Sequence, residues 1–177
     1  RNRKKTGWTL ISLVGYTNAG KSTLLNKISG AQIYSKDQLF ATLDPTTRKI
    51  DSLKNESVLM TDTVGFIQKL PTHLVKSFRA TLEEVIEADI LIHVIDSSHD
   101  EVDNQVSAVN QILNDIGVIE KKIINVLNKS DINKKKANLL KQRYPNSVVI
   151  SAKNGDGLND LLFKIEQLLE NKKNEVV

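Results

Sequence analysis

One octapeptide, Gly15-Tyr16-Thr17-Asn18-Ala19-Gly20-Lys21-Ser22, constrains this chain more than any other stretch. It fits G-x-x-x-x-G-K-[ST], in which glycines let the backbone turn tightly and bring its N–H groups up to a phosphate chain. Lys21 would reach the outer phosphates as a point charge, and the Ser22 hydroxyl would hold Mg²⁺. Thr23 completes the phosphate-contacting set. Such a loop must follow a strand and open a helix. Thr9 to Val14 is β-branched and apolar, as a strand buried on both faces would be. Leu24, Leu25 and Ile28 recur at helical spacing, and Gly30 is a helix stop. A helix starting there aims its dipole and unpaired N–H groups at the same anion.

The remaining chain reads as alternating elements. Residues 31–46 have no clean period, and so long a loop after the phosphate-loop helix suits a nucleotide-sensing switch. Thr46 to Leu53 alternates as a strand, Lys54-Asn55-Glu56 turns, and Ser57 to Thr61 is a second strand, which makes an antiparallel hairpin. Leu74, Phe78, Leu82, Val85 and Ile86 mark one helix face, and Asp89 to Asp96 is a buried central strand. Val102, Val106, Val109, Leu113 and Ile116 predict an amphipathic helix stopped at Gly117. Lys122 to Leu127 and Ser147 to Ile150 are further strands. A short lysine-rich helix around Lys134-Lys135-Lys136 reads as a solvated face, and a final helix carries Leu158, Leu161, Leu162, Ile165, Leu168 and Leu169. About six strands and five helices in this order predict an α/β fold built around the phosphate loop (P-loop). Its sheet would be mostly parallel, with one antiparallel edge strand and helices on both faces. The site would lie at the carboxyl ends of the strands.

Composition excludes several classes. The chain has 177 residues, 40% hydrophobic and 26% charged, which suits one globular domain. It has no run of about 18 apolar residues, so we expect no membrane partner. It has no cysteine, hence no disulfide partner and no thiolate metal site. Arg1, Arg3, Lys4 and Lys5 account for the whole +4 net charge, so the body is formally neutral. Residues 1–7 read as the end of a linker from a preceding segment, 8–171 as the functional domain and 172–177 as a polar tail. A chain that opens at Arg1 without Met reads as a piece of a longer one. His93 has apolar neighbours and reads as a core histidine, and His73 and His99 form no cluster with it.

Two further motifs narrow the ligand. Asp62-Thr63-Val64-Gly65 ends an apolar strand about 40 residues past the phosphate loop. A carboxylate there lies near the metal, through water, and the Gly65 N–H near the γ-phosphate. Asn128-Lys129-Ser130-Asp131 follows another apolar strand. The two oxygens of Asp131 can accept both the ring N–H and the amine of guanine, a donor pair that adenine lacks. Asn128 can tie this segment to the phosphate loop, Lys129 can lay its stem along the base, and the Ala152 N–H, between Ser151 and Lys153, can serve the guanine oxygen. The set argues for GTP or GDP with Mg²⁺, and Asp131 argues against an ATPase or kinase built on the same loop.

With these residues in view, the chain resembles a Ras-like GTPase of the translation-factor-related class, and within it the HflX family. The resemblance rests on residues 15–22, on Phe40-Ala41-Thr42-Leu43-Asp44-Pro45-Thr46-Thr47-Arg48, on Asp62-Thr63-Val64-Gly65-Phe66-Ile67 and on Thr81 to Val85. It covers residues 8–170 and implies the isolated GTPase domain of a ribosome-associated factor. In that family an N-terminal domain and a helical linker precede the GTPase domain. The family binds the large ribosomal subunit and splits stalled ribosomes in the cytoplasm, or in an organellar matrix in eukaryotes. The residues alone leave Thr42, Thr46 and Thr47 open as the switch threonine that completes Mg²⁺ coordination; the resemblance places it at Thr42. Phe66 occupies the position where Ras-like enzymes often carry a water-orienting Gln, and Gln68 is a weak substitute. Lys21 and Gly65 are then left to stabilise the transferred phosphoryl group, hydrolysis alone should be slow, and a nucleotide-gated binding module with negligible hydrolysis is the alternative. Asn18 stands where several K⁺-using GTPases carry Asn, which makes K⁺ a second candidate cofactor.

Overall fold

The computed structural model describes residues 7–30, 46–51, 53, 57–63, 65, 82–118 and 120–174. Among these residues six strands form one sheet: β1 (Thr9–Val14), β2 (Thr46–Ile50), β3 (Val58–Asp62), β4 (Ile90–Asp96), β5 (Lys122–Asn128) and β6 (Ser147–Val149). Their spatial order is β2-β3-β1-β4-β5-β6. Only the β2–β3 pair is antiparallel, with Thr46 opposite Asp62 and Ile50 opposite Val58. The other pairs are parallel, as strands joined by helical crossovers must be.

Helices α1 (Lys21–Ile28), α2 (82–87), α3 (Val102–Asp115), α4 (Lys134–Arg143) and α5 (Leu158–Asn174) cover both faces. The period-two alternation of the strands divides the core. Ile11, Leu13, Ile90, Ile92, Val94, Ile124 and Val126 meet Leu24, Leu25 and Ile28 of α1 and Leu161, Ile165 and Leu169 of α5. The opposite face carries Val14 and Leu91 against Val85, Val109 and Leu113, and Ile95 and Leu127 against Val102, Val106 and Leu140. Full burial of each such side chain stabilises the fold by about 1.5–3 kcal/mol.

Several boundaries differ from the sequence reading. β2 stops at Ile50, and Leu53 beyond it is buried in the core without strand pairing. β3 and β5 extend to include Asp62 and Asn128, so those site residues are held by the sheet itself. Ile86, expected on the apolar face of α2, is exposed where the helix ends and Lys121 binds its carbonyl. The expected helix residues Leu74 and Phe78 lie outside the described residues. α5 runs to Asn174, through part of the stretch read as a polar tail. Gly117 does end α3: at φ 77° it lets the Val118 N–H reach back to Leu113 O at 2.9 Å, a Schellman closure.

β1 lies between β3 and β4, and the chain leaves it first toward one side of the sheet and later toward the other. That reversal is the topological switch point at which α/β sheets place their ligands.

Candidate nucleotide site

The phosphate loop leaves β1 at that switch point. A Cβ on Gly15 would meet Val94 O at 2.4 Å, so the turn can hug β4 only as glycine. Gly20 has φ 101°, and a Cβ there would meet Asn128 Nδ2 at 2.3 Å. α1 follows with no side-chain cap and no acidic residue in its first turn. Its N-terminal dipole therefore faces the loop without a competing carboxylate of its own. Tyr16 packs half-buried on the α2–α3 core, and its carbonyl accepts from the Ala19 N–H. Thr17 and Thr23 are half-buried, and Asn18 is exposed with a left-handed backbone at φ 60°.

Lys21 is buried, and burial lowers its pKa against the raising pull of Asp62. Ser22 Oγ donates to Asp62 Oδ2 at 2.5 Å. A hydroxyl and a buried carboxylate side by side form the hard-oxygen pair that suits Mg²⁺. Thr63 is fully buried, and its hydroxyl donates to Leu13 O at 2.6 Å, which staples the end of β3 to the strand that delivers the loop. A Cβ on Gly65 would stand 2.7 Å from Thr17 Cα, so the D-x-x-G glycine lies directly on the phosphate loop. Lys21, Ser22, Asp62 and Gly65 are thus brought together. Phe40, Ala41, Thr42, Leu43, Asp44, Val64, Phe66 and Gln68 lie outside the described residues. Of the two rivals of Thr42, Thr47 bonds through its hydroxyl to Thr61 Oγ1 at 2.9 Å, and Thr46 is exposed opposite Asp62.

The second half of the site lies at the ends of β5 and β6. Asn128 is 2% exposed. Its Nδ2 donates to Ala19 O at 2.9 Å, and its Oδ1 accepts from the Ala152 N–H at 2.9 Å. One side chain therefore joins the phosphate loop to the Ser151–Lys153 segment. The Ala152 N–H, expected to serve the guanine oxygen, is engaged by Asn128 in this structure. Asp131 is exposed at the loop, with Oδ1 held by Ser151 Oγ at 2.7 Å; the Asn154 N–H in turn donates to that hydroxyl at 3.2 Å. Lys153 is exposed. Lys129 has φ 63°, and its ammonium meets Asp96 Oδ2 at 2.7 Å.

Three supports escaped the sequence reading: Asp96, Ser97 and the Thr63 staple. Ser97 Oγ donates to Asn128 O at 2.6 Å. The signal for Asp96 and Ser97 was position, since both stand at the carboxyl end of a parallel strand. His93 is buried on β4 between Val14 and Asn125. Burial first, and the charge of Lys21 second, push its pKa down to about 4. Among the described residues no three His, Cys, Asp or Glu side chains cluster as a metal site, and no helix is long and apolar enough to cross a membrane.

Comparison with known proteins agrees with this geometry. Residues 10–129 match the family model described as 50S ribosome-binding GTPase. The GTPase HflX of Caldanaerobacter subterraneus subsp. tengcongensis is 48% identical over 177 residues, covering 100% of this chain and 40% of the relative. The chain thus spans about two fifths of the length of the curated relatives it matches. The crystal structure of a GTP-binding protein from Sulfolobus solfataricus in complex with GDP is 31% identical, with a TM-score of 0.70 over 92% of this chain and 53% of that one. Aquifex aeolicus Era bound to GDP·AlF4⁻ superposes with a TM-score of 0.76 over 92% of this chain and 57% of that one; at 23% identity it is a match of fold. The chain belongs to the 50S ribosome-binding GTPase family and, within it, groups with the HflX GTPases.

Proposed function

We propose that this domain binds GTP with Mg²⁺, hydrolyses it slowly to GDP and phosphate when alone, and is accelerated by the large ribosomal subunit as part of a cytoplasmic ribosome-splitting factor. The observation that carries the reading is the double hydrogen bond of Asn128, to Ala19 O and from the Ala152 N–H. It couples a phosphate loop to a base-reading loop whose Asp131 carboxylate is exposed and oriented. Oriented carboxylate oxygens favour guanine over adenine, because only guanine presents two adjacent donors.

Ser22 and Asp62 fit Mg²⁺, with Thr42 as the switch ligand. Bound there, the ion would neutralise charge on the phosphate oxygens. Lys21 supplies a positive charge from a dry environment, where it acts more strongly on a developing anion than in water. Gly65 lies against Thr17 of the phosphate loop, from where its N–H would serve the γ-phosphate. Phe66 cannot orient the attacking water, which supports slow intrinsic turnover and an activating partner. Known activators raise such rates by about three to five orders of magnitude. Asn18, with its exposed left-handed loop position, is the residue through which K⁺ would act.

Phe66 also sustains a second reading, a nucleotide-gated binding module with negligible hydrolysis. Single-turnover hydrolysis of GTP with and without purified large ribosomal subunits separates the two. Slow turnover that the subunits accelerate supports the enzyme, and a rate indifferent to them favours the module.

A further inference from the structure

Asp96 closes β4 at the edge where the site loops gather, in register with Asn128 of β5. Its carboxylate is fully engaged. Oδ1 accepts from the Ser98 N–H at 3.0 Å and from Ser98 Oγ at 2.5 Å, and Oδ2 meets the Lys129 ammonium at 2.7 Å. Burial raises the pKa of this carboxyl, but the hydrogen bonds of Lys129 and Ser98 and the charge of Lys129 outweigh it, and the net shift is downward. The side chains are 13% exposed for Asp96 and 25% for Lys129, so water screens this pair less than a surface ion pair.

Lys129 lies between Asn128 and Asp131 in the base-reading loop and holds a left-handed backbone that lysine rarely adopts. A free lysine stem samples many rotamers, and ordering it on binding costs affinity. Asp96 removes much of that freedom before any ligand arrives. It also offsets the lysine charge, so the part of Lys129 left to act on a ligand is its methylene stem, suited to the flat face of a base.

We propose that Asp96, oriented by Ser98, is a positioning residue of the guanine pocket that pre-orders the Lys129 stem against the base. The inference rests on the guanine-nucleotide reading above. It differs from a sheet-capping role, in which Asp96 would matter whether or not Lys129 were present.

The test is the dissociation constant of the fluorescent analogue mant-GDP for the wild-type domain and for Asp96→Asn, Ser98→Ala, Lys129→Ala and the doubles Asp96→Asn/Lys129→Ala and Ser98→Ala/Lys129→Ala. Melting of each ligand-free variant is followed alongside. Asp96→Asn should weaken binding about tenfold and Ser98→Ala about threefold, and each effect should shrink below about twofold once Lys129 is alanine. Losses as large in the Lys129→Ala background as in wild type would overturn the proposal. Should Asp96→Asn not fold, the milder Ser98→Ala pair decides by the same criterion. Wild type that fails to bind mant-GDP overturns the nucleotide reading and this proposal together, whereas additive losses in a wild type that binds overturn the proposal alone.

Discussion

The two halves of the site are built differently. In the half proposed to read the base, at the ends of β5 and β6, polar side chains are answered by neutral or oppositely charged protein groups: Asn128 by Ala19 and Ala152, Asp131 by Ser151, Lys129 by Asp96. In the phosphate-loop half, the Lys21 ammonium is buried at the start of α1, and the nearby Asp62 only partly offsets its desolvation. Polar networks whose groups are satisfied rigidify a structure, whereas buried charge that is only partly compensated is costly. The base half is thus a frame that exists before the ligand, and the phosphate half is the part whose electrostatics a bound anion would change most. Asn128 belongs to both, and substitutions on either side of it should behave differently.

The largest expected effect is on the phosphate side. Lys21→Ala should weaken GDP and GTP binding by about a hundredfold or more, because it removes the buried charge that the proposal sets against the phosphates. Isothermal titration checks this, and a loss under threefold would break the contrast between the halves. Asn128→Ala should cost stability as well as affinity. It deletes two buried hydrogen bonds and strands a carbonyl and an N–H, a loss of about 2–4 kcal/mol in unfolding free energy. Urea unfolding without nucleotide reads that cost, and an unchanged midpoint would show that the frame is not pre-formed.

His93 sharpens the comparison through pH. Its folded pKa of about 4 lies below the ordinary 6.5, so between these values the unfolded chain binds more protons than the folded one. Stability should therefore be unaffected by this residue above about pH 6.5 and should fall progressively as the pH drops toward 4, by up to about 3 kcal/mol. His93→Leu should flatten that acid limb in unfolding midpoints measured from pH 7 to 4.5; an unchanged slope would remove His93 from the account. The smallest effect concerns Asn18. GTP turnover in KCl should exceed that in NaCl at equal ionic strength by about threefold, a barrier change under about 1 kcal/mol, and Asn18→Ala should abolish the difference. Identical rates in the two salts would end the K⁺ proposal.

Much of this was legible in the chain itself, for identifiable reasons. The buried strands Thr9–Val14 and Ile90–Asp96 are largely apolar on both faces, and alternation with helical patterns makes a parallel sheet covered by helices the arrangement that satisfies such runs. The turn from β1 into α1 and the tie of Asn128 to it were readable because such motifs need particular residue types at short spacing. Supports that bind across strands were not readable. Thr63 reaches Leu13, fifty residues away, and Asp96 reaches Lys129, so neither pairing has a local pattern. The engagement of the Ala152 N–H by Asn128 was equally invisible, since it depends on where two loops meet. Ile86 shows the limit of periodicity, because its helical spacing fits the buried face although it is exposed.

The central claim is that one edge of the sheet reads guanine through Asp131 on a pre-formed frame. Competition of GTP, ATP and xanthosine triphosphate for the wild-type domain and for Asp131→Asn tests it most directly. Wild type should prefer GTP, and Asp131→Asn should weaken GTP by about a hundredfold while improving xanthosine triphosphate, whose base presents an acceptor where guanine has its amine. GTP affinity unchanged by Asp131→Asn would contradict the account.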